Sequence, residues 1–424
     1  MTTRLAVVGG GWAGIAAAVA GVRRGWQVEL FEMAGQLGGR ARSLEQHPRL
    51  DNGQHILIGA YRDTLDLMRE VGVDIERALH RMPLTLCYPD GSGLRLRRGP
   101  AALAFSRAVL HQSAWPLRAR LQLLATCASW AGRRFRCAPH LTVAQLCKSL
   151  APVLRQQLID PLCVAALNTP ASCASATVFL RVLHDALFGG AGASDLLLPR
   201  SALSDLLPLP ANAWLLAQGC ALHLGQRIEA LQHDAAQSCW QVAGRPFDCV
   251  VLATSATEAA RLAEPWTADW AGKARALRFE PIVTVYLHSP GSRLPAPILA
   301  LHEGPQTPAQ YAFDLGQLGH APDCFAFVIS GATDWVQAGL GAAGQAVLAQ
   351  AKAAVPWVSP PSILRTLAEK RATFACTPDL VRPPTQLCSG LVAAGDYVDG
   401  PYPATLEGAV RSGRLAIDSL ASSR

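Results

Sequence analysis

The chain of 424 residues suffices for two domains or one elaborate one, and half of it is hydrophobic against 16% charged, so a large core is available. Its formal charge of +7 is modest and no Lys/Arg-rich block accompanies it, which excludes nucleic acid as an expected partner and leaves open a basic face toward anionic lipid. The twelve cysteines show no CxxC and no metal or disulfide spacing, so reduced core thiols of a cytosolic protein without a metal are expected. No apolar run reaches the roughly 18 residues of a spanning helix. Met1 to Arg4 leads straight into a strand, unlike a signal peptide.

The first fifty residues organise the chain. Leu5 to Val8 has the composition of a buried parallel strand. It runs into Gly9-x-Gly11-x-x-Gly14, then an Ala/Val-rich segment of helical length, Ile15 to Arg24. A second apolar run, Val28 to Phe31, closes on Glu32. This is a βαβ unit with a dinucleotide fingerprint in place. Gly9 permits the tight turn, Gly11 lets the backbone approach a diphosphate, and Gly14 lets the helix pack on the strands. Trp12 and Ala13 lie in the glycine turn that leads into that helix, whose free N–H groups and partial positive charge suit a diphosphate. Glu32, eighteen residues beyond Gly14, is spaced to accept hydrogen bonds from a ribose diol.

Gly35 to Arg42 forms a second glycine-rich loop containing Gly38, Gly39 and two forked, permanently charged donors, Arg40 and Arg42. Fingerprint, acid and GGR loop together resemble the flavin amine oxidase and phytoene desaturase superfamily. The resemblance implies FAD as cofactor, with Gly39, Arg40 and Arg42 along its diphosphate. Leu50 to Tyr61 reads LDNGQHILIGAY. By the same resemblance, Gly53 and its neighbours Gln54 and His55 bring backbone to the isoalloxazine ring. The longer string is similar to the squalene-associated FAD-dependent enzymes, the hydroxysqualene dehydroxylases of hopanoid biosynthesis. His55 is a candidate proton donor or hydrogen-bond donor near the flavin; a histidine satisfied by nearby backbone is the alternative.

Tyr61 to Val71 has helical spacing, and Pro89-Asp90-Gly91 marks a hairpin turn. From Ala101 to Arg136, apolar patches with Trp115 and Trp130 alternate with six arginines and no acid. Such a segment suits an anionic membrane surface, with Trp115 and neighbouring leucines as the expected inserting side chains; helices covering the substrate domain are the alternative. Leu141 to Leu167 continues as helices with Pro152 and Pro161 as breakers or first-turn residues. The string LLLPRSALSDLLPLPA, Leu196 to Ala211, resembles the squalene-associated family again and reads as a proline-punctuated connector able to line an apolar cavity.

Arg227 to Leu231 reads as a strand, and the resemblance assigns Ile228 a backbone contact with adenine. Asp248 to Thr254 reads as a buried strand ending at a small-residue turn, and it resembles the superfamily strand that returns beside the FAD. Gly339-Leu-Gly341-Ala-Ala-Gly344 is a second literal GxGxxG, but no strand enters it and Pro360-Pro361 stands where an acid belongs. It reads as a helix start, leaving no separate NAD(P)H domain in view. Glu369 to Pro378, EKRATFACTP, matches the squalene-associated enzymes, with Arg371 either paired in the core or aimed at the flavin edge. Gly395-Asp396 ends a strand, and Ala404, Thr405 and Leu406 begin a helix. The superfamily's C-terminal FAD motif implies that Asp396 meets the ribityl or diphosphate region and that the helix start faces the flavin pyrimidine. Tyr402 departs from the closest family, where a smaller apolar residue is expected.

The resemblance implies an α/β fold, a Rossmann-like FAD-binding domain of the GR2 type interrupted by an α+β substrate domain with a helical, membrane-facing part. FAD-domain segments are expected at 1–80, 212–262 and 386–424, and substrate-domain segments at 81–211 and 263–385. The implied activity is reductive dehydroxylation of hydroxysqualene to squalene by hydride from reduced flavin. Electrons are expected from NAD(P)H or a reductase, and the enzyme on the inner face of the cytoplasmic membrane. A carotenoid or squalene desaturase and an amine oxidase are the enzymatic alternatives. A prenyl-lipid-binding escort of the same fold is the non-enzymatic one, and it predicts lost cofactor motifs, whereas Gly9, Gly11, Gly14, Glu32 and Asp396 are intact.

Overall fold

The computed structural model describes residues 2–45 and 48–422. Its central sheet orders the strands Gln386–Cys388, Leu391–Ala393, Cys249–Leu252, Arg4–Val8, Gln27–Glu32 and Ala221–Leu224. All neighbours are parallel except the first pair. The inner strands are buried on both faces, which is why they read as continuous apolar runs and not as alternating ones. The helix Trp12–Arg23 packs against the C-terminal helix Leu406–Ser422. A Cβ on Gly413 would stand 2.3 Å from the Ala13 carbonyl oxygen, so this close helix crossing requires glycine.

A second, antiparallel sheet orders Ile298–Ala300, Tyr311–Asp314, Cys324–Ile329, Phe279–His288 and Ser362–Phe374. The pairing of its last two strands slips beside Pro281: Glu280 faces Thr373, while Ile282 faces Glu369. Lys370, Arg371 and Ala372 therefore bulge from the ladder, as happens where a proline cannot donate to it. A helical lobe, including Ala101–His111, Leu117–Gly132, Asp160–Leu167 and Ala176–Phe188, closes over this sheet. Pro152 starts a helical turn that passes through a π segment, Arg155–Ile159, into the helix holding Pro161.

Three sequence expectations change. The strand expected at Arg227–Leu231 is Leu231–Asp234, paired with Cys239–Val242, and the strand Ala221–Leu224 enters the central sheet unannounced. The Leu196–Ala211 connector forms a strand and helical turns, and Leu196 is the part of it that reaches the main cavity. Trp115 is 1% exposed and gives its indole N–H to Gln157 at 2.7 Å, so it cannot insert into a membrane. Trp130 and Leu123 are also buried, and the exposed apolar side chains are Leu103, Leu110, Leu117 and Leu121. The GLGAAG match begins the helix Leu340–Ala354 after a separate short helix, as its context indicated. All twelve cysteines are free.

A compact network explains two of the family-like strings. The Asp51 carboxylate oxygen Oδ1 accepts from the Ser43 hydroxyl (2.8 Å) and the Leu203 N–H (2.9 Å). Ser43 and Ser204 exchange backbone-to-hydroxyl hydrogen bonds at 2.9 and 3.0 Å, and Tyr286 donates to the Asp51 carbonyl at 3.0 Å. The DNGQH turn is thus fastened to the LPRSALSD segment and to the second sheet. Burial pushes the Asp51 carboxyl up to about 6, against the lowering effect of the Leu203 and Ser43 hydrogen bonds. The folded state holds this proton to higher pH than the unfolded chain, so the contribution of Asp51 to stability falls as pH rises from about 4 to about 6. Asp51→Asn should flatten that slope and stabilise the protein at pH 7.5 by about 1–2 kcal/mol. Denaturant unfolding at pH 4.5, 6 and 7.5 checks it, and an unchanged slope contradicts it.

Candidate active site

One cavity of about 720 Å³ runs from the glycine-rich turn into the helical lobe. At its nucleotide end the helix Trp12–Arg23 starts at Gly11. A Cβ on Gly14 would fall 1.9 Å from the Gly9 carbonyl oxygen, whereas one on Gly11 would meet only Gly39 Cα at 3.9 Å. Gly14 thus packs against the turn while Gly11 leaves open space on the cavity side. Gly9 turns with φ +108°, Trp12 anchors the second loop through its indole N–H to the Ala41 carbonyl (3.1 Å), and Ala13 lines the wall. Glu32 lines the cavity too, its two carboxylate oxygens accepting from the N–H groups of Gly10 (2.6 Å) and Ala34 (2.8 Å). Each oxygen retains a lone pair for a ribose hydroxyl.

Arg40 does not stand free for a phosphate. One arm meets Asp396 at 2.5 Å and the other donates to the carbonyls of Ala372 (2.6 Å) and Arg371 (3.2 Å). Those carbonyls are turned inward by the Lys370–Ala372 bulge. Burial opposes the Arg40 charge, and the Asp396 carboxylate more than restores it, so its pKa lies above the ordinary arginine value. Asp396, 7% exposed, is correspondingly committed to Arg40. Arg42 also lines the cavity, and among the described residues its guanidinium has no hydrogen-bond or ion-pair partner. It is the arginine of the loop that fits a diphosphate. Gly38 and Gly39 carry the loop past Gly11 with φ +119° and +58°.

The DNGQH turn supplies the middle of the cavity. Gly53, Gln54 and His55 all line it, and among the described residues the buried Gln54 carbonyl oxygen Oε1 has no hydrogen-bond partner, an acceptor suited to an N–H on a bound ring. The Gly53 carbonyl can only accept, so at 2.9 Å it receives the N–H of His55 Nδ1. Enclosure by protein atoms pushes the His55 pKa down, and nearby Arg40 does so further. With Nδ1 engaged by the Gly53 carbonyl, the geometry accommodates the backbone-satisfied histidine, the alternative reading of its position. Ile228 lines the nucleotide end, but its carbonyl is taken by Arg261 at 2.9 Å, leaving its N–H as the group for an adenine.

Ala404, Thr405 and Leu406 line the cavity at the start of the C-terminal helix, where the Thr405 hydroxyl accepts the Gly408 N–H at 3.0 Å. Arg382, absent from the sequence-based expectations, holds this region. It donates to the carbonyls of Asp396, Tyr397, Val398, Gly400 and Tyr402, and its guanidinium lies 4.5 Å from the Phe374 ring centroid. Tyr402 reaches the cavity and donates to Asp185 Oδ2 at 2.7 Å, between Arg181 and Arg411, each 5.3 Å from its ring centre. Tyr397 does not line the cavity, so the paired tyrosines of an amine-oxidase cage are not assembled. Arg371 is exposed and bonds Thr257 at 3.0 Å, so it neither pairs in the core nor lines the cavity. Beyond the turn the wall becomes apolar, with Phe105, Leu123, Trp130, Phe135 and Phe179 from the helical lobe. Among the described residues no cluster of metal ligands exists.

These features define a flavin site, and residues 12–419 match the model of the flavin containing amine oxidoreductase family. The chain belongs to that family and is an FAD-dependent oxidoreductase. It is 29% identical over 446 aligned positions to the hydroxysqualene dehydroxylase of Rhodopseudomonas palustris, covering 99% of this chain and 98% of that one. It is 26% identical to the hydroxysqualene dehydroxylase of Sinorhizobium fredii at the same coverage. The resemblance drawn from DNGQHILIGAY and EKRATF thus holds across nearly the whole chain. In fold, an oxidoreductase from Methanosarcina mazei is similar with a TM-score of 0.75 at 15% identity, covering 98% of this chain and 100% of that one. Cyclohexylamine oxidase from Brevibacterium oxydans gives 0.72 at 16%, with 100% and 99% covered.

Arg382→Lys should release the 396–402 loop, because one ammonium cannot serve five carbonyls. We expect FAD retention after gel filtration to drop severalfold and stability to fall by about 2–4 kcal/mol. Unchanged flavin content and midpoint contradict this role.

Proposed function

We propose that this enzyme removes the hydroxyl of hydroxysqualene reductively and gives squalene. The observation that carries the reading is the continuity of the cavity: a nucleotide end, a narrow polar middle at Asn52–His55, and an apolar chamber beyond it. Bound FAD, once reduced, supplies the hydride. The chain's own residues do the rest. The chamber buries the isoprenoid, each methylene gaining about 0.8 kcal/mol, and aligns one carbon of the C30 chain against the polar middle. The apolar wall keeps water from the carbon that loses its hydroxyl, where departure of an allylic oxygen leaves a delocalised cation. Near-identical coverage of two hydroxysqualene dehydroxylases supports the same substrate. The second GxGxxG being a helix start, electrons from NAD(P)H would arrive transiently or through a reductase.

Anaerobic mixing of the photoreduced holoenzyme with hydroxysqualene tests the reading. Squalene formation with stoichiometric flavin reoxidation is expected, and absence of both overturns it.

Substrate entry places the enzyme, in this reading, on the cytoplasmic face of an anionic membrane. No helix among the described residues is long and apolar enough to cross one. Leu103 and Leu110 share one exposed helix face, and Leu117 and Leu121 share another on the next helix. Arg107, Arg118, Arg133, Arg134 and Arg136 are exposed around them. The opposite faces of these helices, through Phe105, Leu123 and Trp130, line the chamber. Replacing Leu103, Leu117 and Leu121 together by serine should reduce co-sedimentation with anionic liposomes at least fivefold while FAD content stays constant. Trp115→Phe should leave sedimentation unchanged. Equal binding by the triple variant contradicts this docking face.

A further inference from the structure

Reductive loss of a hydroxyl needs a proton for the departing oxygen, and the Nδ1 of His55 is already engaged by the Gly53 carbonyl at 2.9 Å. The carboxyl groups that line the cavity are Glu32, Asp185, Glu258, Glu369 and Asp396. Four are committed. Glu32 takes two backbone N–H groups at the nucleotide end. Asp185 is held by Tyr402, Arg181 and His184, Glu258 by Arg261 and Arg227, and Asp396 by Arg40.

Glu369 differs. Among the described residues it makes no ion pair within 4.0 Å; Oε2 accepts from the Asn52 side-chain N–H at 3.1 Å and Oε1 from the Arg371 N–H at 3.2 Å. It is the cavity-lining carboxyl of the five-stranded sheet, beside Ile282 on the pairing strand and next to the bulge. Asn52, which also donates to the Arg40 carbonyl at 3.0 Å, fixes its carboxyl at the junction of the polar middle and the apolar chamber. The charges around it are Arg40, already paired with Asp396, and exposed Lys370 and Arg371, the latter turned to Thr257. His55, hydrogen-bonded to the Gly53 carbonyl, is the remaining titratable neighbour on the DNGQH turn.

We propose that Glu369, positioned by Asn52, is the proton donor to the departing hydroxyl. This rests on the dehydroxylase reading above. The allylic C–O bond breaks as the Glu369 carboxyl proton passes to the oxygen, which leaves as water. A hydride from reduced flavin forms the new C–H bond, so the substrate is reduced by two electrons and the flavin oxidised by two. The Glu369 carboxylate then regains a proton from solvent.

Two measurements on the holoenzyme test it. Binding to the oxidised enzyme, followed by perturbation of flavin absorbance, should show Glu369→Leu losing about tenfold in affinity for hydroxysqualene and none for squalene, since only the alcohol meets the carboxyl. In anaerobic single turnover, Glu369→Gln should bind the alcohol within threefold of the parent yet reoxidise its flavin at least about 100-fold more slowly. The parent rate should slow in deuterium oxide, and the residual rate of the glutamine variant should not. Equal losses for alcohol and hydrocarbon, a glutamine variant within threefold of the parent rate, or a shared solvent isotope effect overturns the assignment. Should the glutamine variant lose its FAD, a parent rate equal in water and deuterium oxide overturns it alone. In each of these cases the parent still forms squalene, whereas a parent that forms none overturns the dehydroxylase reading instead.

Discussion

The ion pair between Arg40 and Asp396 is the constraint on which the site depends. It joins the GGR loop after the second strand to the C-terminal motif 356 residues later, and the same guanidinium reaches the bulged strand of the second sheet. Three distant segments therefore meet at one side chain. Asp396 is nearly buried and Arg40 is partly open to the cavity. Removing either partner strands a charge, which typically costs about 3–5 kcal/mol where the survivor is buried. Such a pair adds little net stability over an apolar contact. Its value is registry: it sets the position of the bulge and the terminal helix start relative to the glycine-rich loop, and so the shape of the cavity between them.

Around that pair, polar groups are arranged in a short chain. Asn52 donates both to the Arg40 carbonyl and to Glu369, and the Arg40 arms hold the carbonyls just beyond Glu369. Arg382 performs the same service from the other side, gathering five carbonyls of the 396–402 loop. The loop's backbone thus turns toward a buried guanidinium, while Asp396 and Tyr402 reach the cavity. Loops that would otherwise lack regular hydrogen bonding are rigid here because two arginines supply the missing donors.

The nucleotide half was legible in the sequence because its causes are local. A strand, three glycines, a helix and an acid leave a fixed spacing in any chain that must present backbone to a diphosphate, and the structure returns each at its place. The GLGAAG match was rightly discounted for the same reason, since no strand fed it. What escaped was set by tertiary contact. Arg382 carries no local signature, because its five acceptors are carbonyls that any sequence offers. The second arm of Arg40 finds its carbonyls on a bulge that appears only where the strand pairs beside Pro281. Ile228 lies outside a strand because the Arg261 guanidinium, thirty-three residues on, takes its carbonyl. The tryptophans of the basic helical segment misled because amphipathicity names an apolar stripe without saying which apolar stripe meets lipid.

That last ambiguity has a physical resolution in the helical lobe. Helices Ala101–His111 and Leu117–Gly132 carry apolar residues on two faces, one with Phe105, Leu123 and Trp130 toward the chamber, the other with Leu103, Leu110, Leu117 and Leu121 toward the outside. A helix that covers an ordinary core needs only the first. The second costs solubility unless something apolar meets it. In the membrane-docked reading proposed above, a wall one helix deep would leave lipid and chamber a single helix diameter of about 10 Å apart. The aromatic rings lie inside, where they shape the chamber, and the leucines lie outside, exposed.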